Sequence, residues 1–496
     1  MNLQEINYAK YIIDYKSDKT AIIHDEGVTS YRELGQLVKQ FAYQLKNNNI
    51  HPGERVVIVM SDRIEWIVGF LGCVYVGAIP TVISPLLKPA KYIEALDITR
   101  ASAIISDIDR ELIDYKSIKI FTPEDIMQGG ELLEEYYQYL SDEIAVINTS
   151  SGTTGKQKFI AHRHQNFTNY LKYTAEAFAV AQDSMLFGTS KMSHVAGFNV
   201  SITIALGNQA TAIITRKSYT QKLLYRLITE NKVSHFFSQP GVYAMMSNVK
   251  KSLLVTTLKF AGCFSQQYPI EIAKRFKRIY GCGVSNGFGM SEAFSVVIIQ
   301  QYDKDKEIVD DKSLGKPMPG IVCEVRNDQG TLCQKNEVGE LYINTPCSAT
   351  YYLNNWDNTK ETFVGDWIKT NDLVYIDDHD NLVYVSRKDD FVKINGLLIS
   401  VLEVEQTLSQ HPNVVDCLVK VSKNKEGLAK LKAQIVTNTM NDTDIPGIRH
   451  FLAETLELCK IPKYIEIVNE LPISIVDEIP KTWSGKKIRQ IEEEVE

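Results

Sequence analysis

The chain predicts an α/β fold built as a large N-terminal domain of parallel-type sheets wrapped by helices, with a small β subdomain, followed by a small α+β C-terminal domain. Three observations carry that expectation. A length of 496 residues exceeds what one hydrophobic core usually serves. Short β-rich runs alternate with helical patterns as far as residue 300, the signature of parallel sheets covered by helices. From about residue 312 the texture changes to closely spaced strands separated by turn signals.

Taken in order, the predicted strands are Arg55 to Met60, Ile79 to Ile83, Ala103 to Ser106, Ile144 to Asn148, Ala210 to Thr215, His235 to Ser238 and Leu258 to Ala261. Trp66 to Leu87 carries no charge and is long enough to raise the question of a membrane span, which takes about 20 residues. Gly69, Gly72, Gly77, Pro80 and Pro85 divide it, so it reads as a buried helix to Val76, a stop at Gly77 and a strand from Ile79. The turns Asn327-Asp328-Gln329-Gly330, Glu337-Val338-Gly339 and Asp377-Asp378-His379-Asp380-Asn381 punctuate the β subdomain, about 312–386, which closes an N-terminal domain of 1–386. Ser386-Arg387-Lys388-Asp389-Asp390 is a charged cluster suited to an exposed linker, giving a hinge at 387–390 and a C-terminal domain at 391–496. That domain is expected to hold a helix at Glu403 to Gln410 and strands near Val414 to Val421 and Leu431 to Val436.

Composition narrows the classes of function. The 44% hydrophobic and 23% charged content is that of a globular protein, and a net charge of -7 without a long basic stripe gives no reason to expect nucleic acid as a partner. The 8 cysteines include no Cys-x-x-Cys pair, so free thiols in a reducing, cytoplasmic setting are expected. The first residues lack the basic-then-apolar layout of a signal peptide.

The most informative stretch is Thr149, Ser150, Ser151, Gly152, Thr153, Thr154, Gly155, Lys156, Gln157 and Lys158, directly behind the apolar run Ile144 to Ile147. Glycines let the backbone approach an anion, hydroxyls donate hydrogen bonds, and Lys156 and Lys158 add charge, a combination suited to a polyphosphate. It is not a Walker A loop. That motif needs glycine where Ser150 stands and Ser or Thr where Gln157 stands. An ordinary polar loop is the competing reading of this stretch taken alone.

Further segments carry chemistry. In Asn286, Gly287, Phe288, Gly289, Met290, Ser291 and Glu292, the aromatic ring can stack on a purine and the carboxylate is a hard ligand for Mg²⁺ between phosphates. Asp372, in Thr370-Asn371-Asp372-Leu373, can accept from both ribose hydroxyls, and Asn371 suits a left-handed turn. Lys486 lies in Pro480-Lys481-Thr482-Trp483-Ser484-Gly485-Lys486, where a basic tail is the plain alternative.

Read together, these segments resemble the adenylate-forming (acyl-activating, AMP-binding) enzyme superfamily, in order and spacing, over nearly the whole chain. Phrases such as Ser348-Ala349-Thr350-Tyr351-Tyr352 and Gly365-Asp366-Trp367-Ile368-Lys369-Thr370 are most similar to acyl-CoA and aryl-CoA synthetases of the benzoate-CoA ligase type. The resemblance implies a mobile C-terminal domain and a site between the domains. It assigns catalysis to Lys486, Glu292, Thr153 and His194, with Mg²⁺ on Glu292 and Thr153. ATP and AMP would be held by residues 149–156 and Lys158, by Ser265 and Gln266 where the family has a glycine turn against adenine, by 286–292, and by Asp372, Arg387 and Lys486.

An acyl pocket is implied at His194, Gly197, Phe198, Gln239, Pro240, Gly287 and Met290, and a hinge and thioester face at Asp389, Lys393 and Gly396. Surface charges on a linker are the alternative for Arg387 and Asp389, and a packed structural histidine for His194. The stretch 193–200 has no carboxylate to receive a substrate amine, which favours a non-amino carboxylic acid. The implied reaction is ATP-dependent acyl-AMP formation with release of pyrophosphate, then thioester formation with coenzyme A. Loading of a carrier-protein phosphopantetheine, or a catalytically inactive nucleotide-binding relative, are the alternatives, the latter suggested by Gln157, Phe159, Asn371 and Ser386. A homodimer is a family-level expectation.

Overall fold

In a computed structural model of the chain, the described residues are 7–87, 89–108, 118–151, 157–247, 257–264, 270–300, 313–388, 391–394, 397–423, 429–437, 445–469 and 471. The α/β class predicted from the sequence is the class observed.

A 7-stranded sheet runs in the order Tyr351–Tyr352, Gln157–Arg163, Ile144–Ser151, Ile79–Val82, Arg55–Val59, Ala103–Ser106, Lys119–Phe121. The last five are mutually parallel, and the first two are antiparallel additions on one edge. Beside it lies a 14-stranded sheet. Its parallel part comprises Thr20–His24, Thr211–Ile213, Met185–Gly188, His235–Phe237, Phe260–Cys263 and Val284–Met290. The strands after residue 312 do not form a sheet of their own. Ser295–Gln300 and Ser313–Pro317 carry the hydrogen bonding on, antiparallel, into Leu382–Arg387, Trp367–Ile376, Gly339–Asn344 and Val322–Arg326.

The uncharged stretch behaves as its glycines and prolines demand. The helix Ile64–Val76 is buried at every residue and ends on Gly77 in the left-handed conformation, φ +82°, before the strand Ile79–Val82. It packs on the helix Tyr31–Asn47, where a Cβ on Gly72 would lie 2.7 Å from the Phe41 ring. That second helix opens on a capping box, Ser30 with Glu33, and buries Leu34, Val38, Phe41, Ala42 and Leu45 at helical spacing. Among the described residues no helix is long and apolar enough to cross a membrane.

Beyond residue 390 the chain has a core of its own. Ile399, Val404, Leu408, Cys417, Val419, Ala433, Ile435, Ile448 and Leu452 pack between the helices Val401–Leu408 and Ile445–Thr455 and the strands Val414–Lys423, Ala429–Thr437 and Tyr464–Ile467. The predicted helix and two strands are present there; the helix Ile445–Thr455 and the strand Tyr464–Ile467 are additions.

Candidate active site

Parallel strands leave their C-terminal ends open to ligands, because the crossover helices cover the faces and not that edge. Predicted site residues fall on that edge. Gln239 and Pro240 follow His235–Phe237, Asn286 to Met290 end Val284–Met290, and His194 lies in the loop beyond Met185–Gly188.

The candidate phosphate-binding stretch begins at the end of one strand and finishes at the start of the next. Ile144–Ser151 and Gln157–Arg163 pair antiparallel, with Thr149 opposite Phe159 and Ser150 opposite Lys158. Its tip, Gly152, Thr153, Thr154, Gly155 and Lys156, lies outside the described residues, and Ser151 closes the first strand. Thr149 does not have the free hydroxyl expected of it. It donates to the Val82 carbonyl at 2.9 Å, tying the hairpin to the neighbouring parallel strand, so Thr149 is a foundation of the loop. Ser150 and Lys158 remain partly exposed. The Lys158 ammonium sits 4.7 Å above the centre of the Tyr352 ring.

Tyr352 is the residue that sequence reasoning missed. It pairs with Ile160 across the sheet edge, and its hydroxyl donates to Glu292 Oε1 at 2.7 Å. Burial, and then the negative charge of Glu292, hold that hydroxyl far above the ordinary tyrosine range, so it stays protonated and remains a donor. The Arg387 charge acts on it in the opposite direction. Tyr352 therefore touches the phosphate hairpin through Lys158, the candidate metal ligand through Glu292, and the field of the ribose clamp. Glu292 is itself buried, and its carbonyl accepts from the Ala349 N–H at 2.8 Å. The only sequence signal was the Tyr351-Tyr352 pair within a recognised phrase.

Phe288 and Met290 are half-buried at the end of their strand. A Cβ on Gly289 would come within 2.3 Å of the Ser295 carbonyl oxygen, so this glycine clears space for its own backbone turn. Asn286 donates to the Ser313 carbonyl at 3.3 Å, while its buried Oδ1 has no partner among the described residues. Ser265 and Gln266 lie outside the described residues.

The two residues expected at a ribose are in contact. Asp372 and Arg387 face each other across the strands Trp367–Ile376 and Leu382–Arg387, with Arg387 Nε 3.3 Å from Asp372 Oδ1. Arg387 also donates to the Thr370 carbonyl at 3.3 Å, and Thr370 Oγ1 accepts from the Asp372 N–H at 3.0 Å. Asn371 takes φ +62°, the left-handed conformation its residue type allows, and its N–H reaches Glu340 at 3.2 Å. Arg387 and Lys388 are not free linker charges: the first ends a strand, and the second lies 2.8 Å from Glu340 Oε2. Asp389, Gly396 and Lys486 lie outside the described residues, and Lys393 falls in the strand Phe391–Ile394.

The acyl-pocket residues divide. His194 caps the short helix Val195–Phe198, its Nδ1 accepting from the Ala196 N–H at 3.4 Å, and it remains partly exposed. Phe198 has no accessible surface and packs between Phe70 and Phe294, so it supports a wall and does not line one. Gly197 is filled from behind by the Lys191 carbonyl, 2.0 Å from where a Cβ would lie. A carboxylate that the motifs did not flag anchors this loop: Asp62, after Arg55–Val59, accepts from the Met192 N–H at 2.9 Å.

An α/β crevice bordered by a glycine- and hydroxyl-rich stretch, a buried carboxylate and an Asp–Arg pair is suited to a nucleotide. Residues 12–353 match the family of AMP-binding enzymes, and the chain belongs to that family. It is 24% identical to a 4-hydroxybenzoate-CoA/benzoate-CoA ligase of Rhodopseudomonas palustris over 99% of this chain and 94% of the relative. It is 26% identical to a benzoate-CoA ligase of Thauera aromatica over 95% and 92%. A crystal structure of a benzoate CoA ligase from Burkholderia xenovorans superposes with a TM-score of 0.82 at 27% identity, covering 95% of this chain and 98% of that one.

Proposed function

We propose that the protein is an AMP-forming acid–thiol ligase that converts a non-amino, aryl or medium-sized apolar carboxylic acid to its coenzyme A thioester. The observation that carries this is the convergence of Lys158, Tyr352, Glu292 and the Asp372–Arg387 pair. A carboxylate oxygen attacks the α-phosphorus of ATP, the bond to the β-phosphate breaks, and acyl-AMP and pyrophosphate form. The thiol sulfur then attacks the acyl carbon, AMP leaves with the carboxylate oxygen, and the thiol proton passes to solvent.

Asp372 accepts from the ribose hydroxyls, Arg387 holds Asp372 and faces the phosphates, and Phe288 stacks on the adenine. Lys158 and the hairpin tip grip the β- and γ-phosphates. Lys486 supplies an ammonium at the α-phosphate, where charge builds in the transition state. His194 stands between acyl pocket and thiol path.

Glu292 fits a Mg²⁺ role. It is a single hard carboxylate oriented by a neutral donor, and among the described residues no three His, Cys, Asp or Glu converge. A magnesium ion bound largely by phosphates and water needs no more, and it would neutralise phosphate charge. Asp389 belongs in this reading to the hinge, and Lys393 and Gly396 to a C-terminal domain that alternates between the two half-reactions. Acid-dependent formation of AMP, pyrophosphate and a coenzyme A thioester across aryl, short, medium and long acids tests the proposal. Transfer to a holo-carrier protein but not to coenzyme A would favour the carrier-loading reading, and no pyrophosphate with any acid would sink both.

A further inference from the structure

The neighbouring strands His235–Phe237, Phe260–Cys263 and Val284–Met290 present one face towards the helix Gln165–Phe178. Two positions on that face have no side chain, Gly262 and Gly287. Their missing side chains leave a shallow trough on that face, interrupted by Ser285, which pairs with Gly262, and reaching the crevice end at Gly287. Among the described residues the Phe264 ring covers both glycines, and the Ile298 carbonyl oxygen, 2.6 Å from a Cβ built on Gly287, closes the second from the neighbouring strand. A Cβ built on Gly262 would be 2.7 Å from the ring, and one on Gly287 would be 2.9 Å away.

The ring is held there by aromatic packing. It stacks on Phe178 at 5.6 Å with an interplanar angle of 17°, and Phe237 and Phe260 lie beside it at 6.2 and 6.5 Å. Phe178 and Phe237 are buried, whereas Phe264 keeps part of its surface exposed. Phe264 is thus a partly exposed member of a four-ring cluster, placed beside Gly287 at the crevice end.

We infer that Phe264 is the end wall of the acyl pocket and selects compact, flat acids of about one aromatic ring over extended alkyl acids. This inference rests on the ligase reading and its placement of the acid beside Gly287. A slot ended by a bulky ring has room for a compact planar acid and none for a long chain. An alkyl chain would have to displace the ring from Phe178 and from both glycines at once. Removing the ring leaves the trough open towards Phe260.

The test compares the wild type with Phe264→Ala and Phe264→Leu, using benzoate, hexanoate and octanoate. The octanoate-to-benzoate ratio of kcat/KM is expected to rise roughly tenfold or more in Phe264→Ala and less in Phe264→Leu, with the KM for ATP unchanged. A parallel fall for all acids, leaving the ratio fixed, overturns the inference. Calorimetric binding of octanoate reads the pocket without catalysis, so it separates the two claims. Should no acid release pyrophosphate, the ligase reading falls, yet tighter octanoate binding to Phe264→Ala than to wild type still supports the wall and equal binding overturns it. If Phe264→Ala does not fold, Phe264→Leu gives the same comparison.

Discussion

The hairpin of Ile144–Ser151 with Gln157–Arg163 and the hairpin of Trp367–Ile376 with Leu382–Arg387 bracket the nucleotide crevice, and they are held by different forces. The first is anchored by packing. Ile147, Phe159 and Ala161 are buried in one apolar cluster, Thr149 is bonded to the Val82 carbonyl, and the buried histidines His162 and His164 stand at its foot. The second is anchored by charge: Asp372 faces Arg387, and buried Glu340 gathers Lys388 at 2.8 Å, Lys369 at 3.8 Å and the Asn371 N–H. In the packed hairpin the candidate phosphate-binding lysine, Lys158, lies over the Tyr352 ring. In the charged hairpin the candidate ribose-binding carboxylate, Asp372, is oriented by Arg387. Tyr352 joins the two, under Lys158 on one side and within the field of Arg387 on the other.

Acid should break the packed hairpin most severely. Burial lowers His162 from 6.5 to about 3 and His164 from 6.5 to about 4. Between pH 6.5 and those values the unfolded chain binds protons that the folded chain refuses. Stability present above pH 6.5 is therefore lost as the pH falls, by about 2 kcal/mol for each histidine at pH 5. Urea midpoints at pH 7 and pH 5 check this, and His164→Gln should remove about half of the combined contribution of these two residues.

Glu292→Gln, at the joint between the hairpins, keeps the shape but removes the charge. It is expected to lower kcat roughly hundredfold with little change in thermal stability, read by pyrophosphate release at several Mg²⁺ concentrations. Asp372→Asn attacks the charged hairpin. The KM for ATP should rise about tenfold to thirtyfold, equivalent to about 2 kcal/mol of charged hydrogen bonding, while the acid KM stays unchanged.

Thr149→Val sharpens the contrast, since its hydroxyl serves the fold. A loss of about 1 kcal/mol in unfolding free energy is expected, with the KM for ATP within about twofold of wild type. Asn371→Gly should do least. At φ +62° glycine is equally at home, so activity is kept and stability changes by under about 0.5 kcal/mol, whereas Asn371→Ala costs about 1 kcal/mol.

What could be read from the chain was local. Gly77 ends its helix because the buried run before it needs a left-handed stop, and Asn371 fits a turn that most residues avoid. Asp372 and Arg387 were legible as separate charges, and only the strand register makes them a pair. The rest depends on contacts distant in sequence. The Thr149 bond to Val82 spans 67 positions and the Tyr352 bond to Glu292 spans 60. Nothing in Phe264 itself announces that its ring covers Gly287. The continuity of the large sheet past residue 312 was hidden for the same reason, because turn spacing reveals strands and not their neighbours.

The central claim is that an acid is activated through an acyl-adenylate before any thiol is needed. ATP–pyrophosphate exchange in the absence of coenzyme A tests it most directly. The account predicts exchange that requires a carboxylic acid, is lost in Lys486→Ala, and leaves that variant able to turn preformed acyl-AMP and coenzyme A into thioester. Exchange that ignores the acid, or equal loss of both half-reactions in Lys486→Ala, would contradict it.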